Sequence, residues 1–131
     1  MDDQTVIYNI AKEYKLGPLT KDPERLYGGF LHKNYLLVGS SSKWVVKLLN
    51  PEIMKRKEAF ANYDEAEKLE QLLEENDLPT VSALTIHQYK RQCLAGHYFY
   101  IFPYFNGNAL PFGAITKKHC CLIGQTLAHI H

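Results

Sequence analysis

Trp44-Val45-Val46-Lys47-Leu48-Leu49-Asn50-Pro51 decides the fold. The first six residues are mostly large or β-branched and apolar, which favours a strand. Asn50-Pro51 breaks it, because proline has no N–H to give to a sheet. One residue does not fit. Lys47 stands inside the apolar run, where an ammonium is costly unless its charge is matched. It reads either as part of a solvated strand face or as a cation aimed at an anion. Upstream, Gly39-Ser40-Ser41-Ser42 is a hairpin turn leading back to an apolar strand at Tyr35 to Val38. Before that, Glu24 to Tyr27 leads into Gly28-Gly29. Strands joined by short turns pair antiparallel.

Downstream, Lys55 to Asn76 has helical periodicity, with Ala59, Phe60, Tyr63, Ala66, Leu69, Leu72 and Leu73 as an apolar stripe on an otherwise charged helix. Leu78-Pro79 closes it. Thr85 to Arg91 and Tyr98 to Phe105 then flank Ala95-Gly96 as a second hairpin. Tyr98-Phe99-Tyr100-Ile101-Phe102 is apolar on both faces, which predicts a strand covered on both sides. At the ends, Val6, Ile7, Ile10, Ala11 and Tyr14 predict a helix over 5–16, stopped by Gly17-Pro18, and a last helix runs from Thr116 to His131. The order is helix, three strands, helix, two strands, helix. That is an α+β fold: a five-stranded antiparallel sheet with one helix inserted between the third and fourth strands.

The 131 residues fit one domain, 46% hydrophobic and 22% charged, at a formal net charge of +1. This balance gives no electrostatic case for nucleic acid or an anionic membrane. No run approaches the ~18 apolar residues of a membrane helix, and the acidic start Met1-Asp2-Asp3 lacks a signal-peptide layout. The expected address is cytoplasmic. Cys93, Cys120 and Cys121 have neither disulfide nor zinc spacing and are expected as buried thiols. His129 and His131 are two apart on a helix and cannot face one ligand, so no metal site is read.

Four groups of residues could carry chemistry. Gly28 and Gly29, lacking Cβ atoms, let backbone N–H groups approach a phosphate, though a plain turn explains them too. Lys47 could hold nucleotide phosphates from the third strand. Glu65, along one edge of the apolar stripe, could reach across to pair with it; Glu58 and Glu67 compete for that role. Phe102-Pro103-Tyr104-Phe105-Asn106-Gly107 leaves the buried strand and could offer an adenine ring an apolar slot with a backbone acceptor and donor at its edge.

Taken together, these segments resemble the aminoglycoside phosphotransferase family, in the protein-kinase-like superfamily. The resemblance rests on Gly28 to Tyr35, Val45 to Met54, Glu65-x-x-x-Leu69-x-x-Leu72 with Leu78-Pro79, Gly107 to Leu110 and Leu127 to His131, in order and at compatible spacing. It implies an N-terminal lobe that clamps ATP or GTP, with Mg2+, against a helical second lobe. It further implies that Lys47 contacts the α- and β-phosphates with Glu65 as its partner. The Pro103 carbonyl and Phe105 N–H would meet the adenine edge, with Phe102 at the back of the slot. The family's catalytic loop is His-Gly-Asp followed by an asparagine and a later aspartate; His-Gly-Asp does not occur here. The catalytic and metal residues therefore have no counterpart among these residues.

The sequence is thus expected to be the nucleotide-binding half of a small-molecule phosphotransferase, taking a small alcohol as acceptor only with a catalytic lobe and inactive alone. The alternative is a non-enzymatic lobe that binds nucleotide or a partner protein. Phe105, Leu110, Phe112, Ile123, Leu127 and Ile130 are expected to form an uncovered apolar patch that favours a homodimer.

Overall fold

The computed structural model describes residues 2–131. Helix α1 spans Asp3–Glu13 and is capped by the Asp2 carboxylate, which accepts from the Thr5 amide at 2.8 Å. Strands β1 (Glu24–Leu26), β2 (Lys33–Val38) and β3 (Lys43–Leu48) follow. After β3 come a single-turn helix α2 (Pro51–Met54) and the longer α3 (Ala59–Glu75), then β4 (Gln92–Leu94), β5 (His97–Pro103) and α4 (Lys117–Ile130). The five strands form one antiparallel sheet in the order β1-β2-β3-β5-β4, with α3 inserted in the chain between β3 and β4. The expected fold class is the one observed.

Strand alternation divides the core into two layers. Tyr35 and Leu37 of β2, Val46 and Leu48 of β3, and Phe99 and Ile101 of β5 point to one face, where Val6, Ile7, Ile10 and Ala11 of α1 cover them. On the other face Tyr100 packs with Leu49, Met54, Ala59 and Ala83, and Tyr63, Tyr98 and Phe102 flank it. β5 is buried on both sides, as its apolar run requires.

Five details correct the sequence reading. The first helix ends at Glu13, because Lys15 takes a left-handed turn at φ 55° and lets the Leu16 amide close back on the Ala11 carbonyl at 2.9 Å. The predicted helix 55–76 starts late: α3 begins only at Ala59, and a separate turn opened by Asn50 and Pro51 precedes it. Residues 85–91 are no strand, since His87 and Gln88 (φ 51° and 74°) fold Ile86 back onto Tyr89, leaving the strand to 92–94. All three cysteines are exposed.

The fifth concerns the face of α3. Leu69 and Leu72 are 57% and 55% exposed. The side turned toward the protein carries Ala59, Tyr63, Glu67, Glu70 and Glu74 instead. Its carboxylates grip the 83–92 segment. Lys90, 7% exposed, bonds Glu70 at 2.9 Å and Glu74 at 2.7 Å. Arg91 bonds Asp64 at 3.0 Å and Glu67 at 3.3 Å. The amides of Ala83 and Arg91 donate to Glu70 and Glu67. In this segment the Leu84 amide finds a strand partner, the Ile101 carbonyl at 2.7 Å; the amides of Ala83 and Arg91 need acceptors from elsewhere, and α3 supplies them. Among the described residues no helix is long and apolar enough to cross a membrane.

Candidate nucleotide-binding face

The face of the sheet shared with α3 carries two rows of side chains in register. Leu36 on β2, Val45 on β3 and Phe102 on β5 are neighbours across the strands, all half-buried. Two residues along each strand, about 7 Å away, Asn34, Lys47 and Tyr100 form the next row. An apolar shelf thus borders a cation. The sequence reading found Phe102 and Lys47 but missed Leu36 and Val45; the signal was there, since residues two apart on a strand share a face.

Lys47 is half-buried and has no ion pair among the described residues. Its expected partner does not reach it. Glu65 is exposed and bonds Lys68 at 3.2 Å. Tyr63 and Glu67 face inward one turn apart, and Glu65 lies midway between them in sequence, rotated about 200° from each at 100° per residue. The other two candidates are also elsewhere. Glu67 is held by Arg91, and Glu58 sits exposed at the start of α3.

What stands beside Lys47 is a histidine. His32 Nδ1 accepts from the Asn50 amide at 2.9 Å, and its Nε2 lies 2.6 Å from the Tyr63 hydroxyl. Nδ1 as acceptor fixes the neutral tautomer with its proton on Nε2, donated to Tyr63. Burial, and then the Lys47 charge, push the imidazole pKa below its usual 6.5. Burial also raises the Tyr63 phenol, and burial followed by the nearby Glu67 charge raises that of Tyr100. Both stay neutral at physiological pH. The Tyr100 hydroxyl is buried, with the Arg91 guanidinium as its polar neighbour.

Gly28 and Gly29 lie in the loop between β1 and β2 that ends at His32. Gly28 has φ +126°, a backbone that L side chains rarely adopt, with nothing within 4 Å of where a Cβ would stand. At the other end of the apolar row β5 leaves the sheet. Pro103 pairs with Trp44, and the Tyr104 amide still reaches the Lys43 carbonyl at 3.3 Å. Phe105 is 72% exposed, its ring laid over Gly107, where a Cβ would meet it at 3.1 Å. No group of three or more His, Cys, Asp or Glu side chains that could hold a metal occurs among the described residues, so no magnesium ligand is assigned.

A five-stranded antiparallel sheet with a helix inserted between its third and fourth strands is the arrangement of a kinase-like N-terminal lobe. The structure is similar to the crystal structure of spectinomycin phosphotransferase, APH(9)-Ia, in complex with ADP and spectinomycin, an aminoglycoside phosphotransferase, with a TM-score of 0.71 at 16% sequence identity. The similarity covers 100% of this chain and 38% of that one. No protein-family model matches the sequence, and no curated protein does.

Proposed function

We propose that this chain binds ATP or GTP as the nucleotide-side lobe of a small-molecule phosphotransferase of the aminoglycoside phosphotransferase type. The observation that carries the reading is the pair of rows, Leu36–Val45–Phe102 beside Asn34–Lys47–Tyr100, on one face of the sheet. The apolar row suits a nucleobase, which needs a flat hydrophobic wall. Lys47, without a carboxylate partner, suits the phosphates one row away. Gly28 and Gly29 would close over them with backbone N–H groups, and the Pro103 carbonyl and Phe105 N–H would meet the base edge. Glu65 has no part in this arrangement unless α3 rotates. A bound nucleotide would supply the transferable phosphoryl group; this chain's residues bind and orient it. Transfer to a small alcohol would need a base and magnesium ligands from a second lobe.

The apolar side chains beyond β5 favour a protein neighbour in the same place. Phe105, Leu110, Phe112, Ile123, Leu127 and Ile130 are all exposed, and no residue of α4 is buried. A second copy of the chain would cover them as a homodimer.

Titration of the pure chain with ADP, followed by amide NMR, tests the nucleotide reading. With one wall of the cleft present, affinity on the order of millimolar is expected. The shifts should map to Gly28, Gly29, Val45, Lys47 and Phe105 and weaken about tenfold in Lys47→Ala. No saturable shifts, or shifts confined to the α1 face, would overturn it.

A further inference from the structure

His32 ties together three elements that a phosphate-binding turn depends on. It ends the glycine loop, it accepts the amide of Asn50 at the start of α2, and it reaches Tyr63 on α3. Its ring stands edge-on to Tyr63 at 6.1 Å, and Tyr63 in turn packs on Tyr100 at 5.9 Å. The loop has few other anchors. Tyr27 and Phe30 are 87% and 100% exposed, and Leu31 is 60% exposed. We propose that His32 is a positioning residue: as a neutral imidazole between Asn50 and Tyr63 it pins the Gly28–Gly29 turn against α3 beside Lys47, and its protonation frees that turn.

The chemistry follows from the acceptor. A second proton must go on Nδ1, where the Asn50 N–H already points, so imidazolium and this hydrogen bond exclude each other. The groups facing the ring disfavour the extra charge. Lys47 of β3 is a cation, Tyr63 of α3 is a neutral phenol with Tyr100 of β5 and Arg91 behind it, and α2 presents the Asn50 amide. Among the described residues no carboxylate bonds the ring. The sign is that of a depressed base: the stability from pinning is complete above the unfolded histidine's pKa, declines below it and is gone once pH has fallen through the lower folded pKa. An anion placed on Lys47 cancels the charge that disfavours imidazolium, so phosphate binding and His32 protonation are linked. The consequence for nucleotide rests on the proposed function; the pinning does not.

Imidazole nitrogen NMR on the full chain, with amide exchange normalised to intrinsic rates, tests it. Above neutrality His32 should show an Nε2–H tautomer. On acidification the amides of 28–32 and Asn50 should lose protection together with its titration, about tenfold for each unit by which its pKa is depressed. Tyr63→Phe, which keeps the ring in the core, should loosen the loop where His32 is neutral and change it little once the imidazole is protonated. Lys47→Gln, and inorganic pyrophosphate added to the wild type, should each raise the His32 pKa. An Nδ1–H tautomer, or loop protection indifferent to His32 titration and to Tyr63→Phe, overturns the proposal. A wild-type chain that shows the coupled titration yet gives no ADP shifts supports the pinning and overturns the nucleotide reading instead.

Discussion

Replacing Lys90 with methionine keeps most of the side-chain volume and removes one charge. The ammonium is 7% exposed and lies between two carboxylates, Glu70 at 2.9 Å and Glu74 at 2.7 Å, themselves only 20% and 34% exposed. Removing one partner of a buried ionic cluster costs about 3–5 kcal/mol, because the partner left behind stays desolvated. Here the carboxylates keep some water, which places the loss near the lower end, about 3 kcal/mol. Lys68→Met provides the comparison. Its bond to Glu65 is 3.2 Å long, but both side chains are nearly three-quarters exposed, so the loss should be about 0.3–0.5 kcal/mol. Urea unfolding followed by Trp44 fluorescence and far-UV circular dichroism measures both. The hydrogen bond from Lys90 at 2.7 Å holds the Glu74 carboxyl below its usual 4.5. A depressed carboxylate contributes stability above the unfolded pKa that disappears as pH falls through the folded one, and Lys90→Met should flatten that acid limb. If both variants lose the same small amount, the inward acidic face of α3 is an ordinary solvated face and the reasoning fails.

Asp77 ends α3 at φ 55°, with the Leu78 amide closed onto the Leu73 carbonyl at 3.0 Å, just as Lys15 ends α1. Glycine carries no Cβ strain there, so Lys15→Gly and Asp77→Gly should each raise stability by about 1 kcal/mol in the same urea assay. Gly28→Ala meets no neighbour but is strained at φ +126°; about 1 kcal/mol of lost stability and weaker ADP shifts are expected. The chain alone should give no phosphorylated alcohol with ATP and magnesium in a radiolabel transfer assay, and detectable turnover would refute the placement of the base in another lobe. Leu127→Glu, on a helix with no buried residue, should lower the mass seen by light scattering at high concentration; a wild type that is monomeric throughout refutes the dimer.

The strands joined by tight hairpins were legible because local turn chemistry and apolar runs fix them with little help from distant residues. The order of elements and the helix inserted after β3 followed. The fourth strand was misplaced because Thr85 to Arg91 has strand-forming composition, while its outcome depends on the turn at His87-Gln88 and on acceptors contributed by α3. The rotation of α3 was misread for the same reason. Counting Leu69 and Leu72 as core assumed an apolar groove, but the groove holds Lys90 and Arg91. Lys47 was legible as one charge in an apolar strand. His32 was not, because its importance lies in two bonds to residues 18 and 31 positions away, which no local pattern records.

The sheet is bounded by β1 and β4, each three residues long, while the strands between them have six or seven. An incoming strand could therefore zip along either margin for only about 10 Å before running out of backbone to pair with. Ribbon-like polymerisation through open β edges, the usual hazard of a small sheet kept at high concentration, is blocked by the brevity of its own borders.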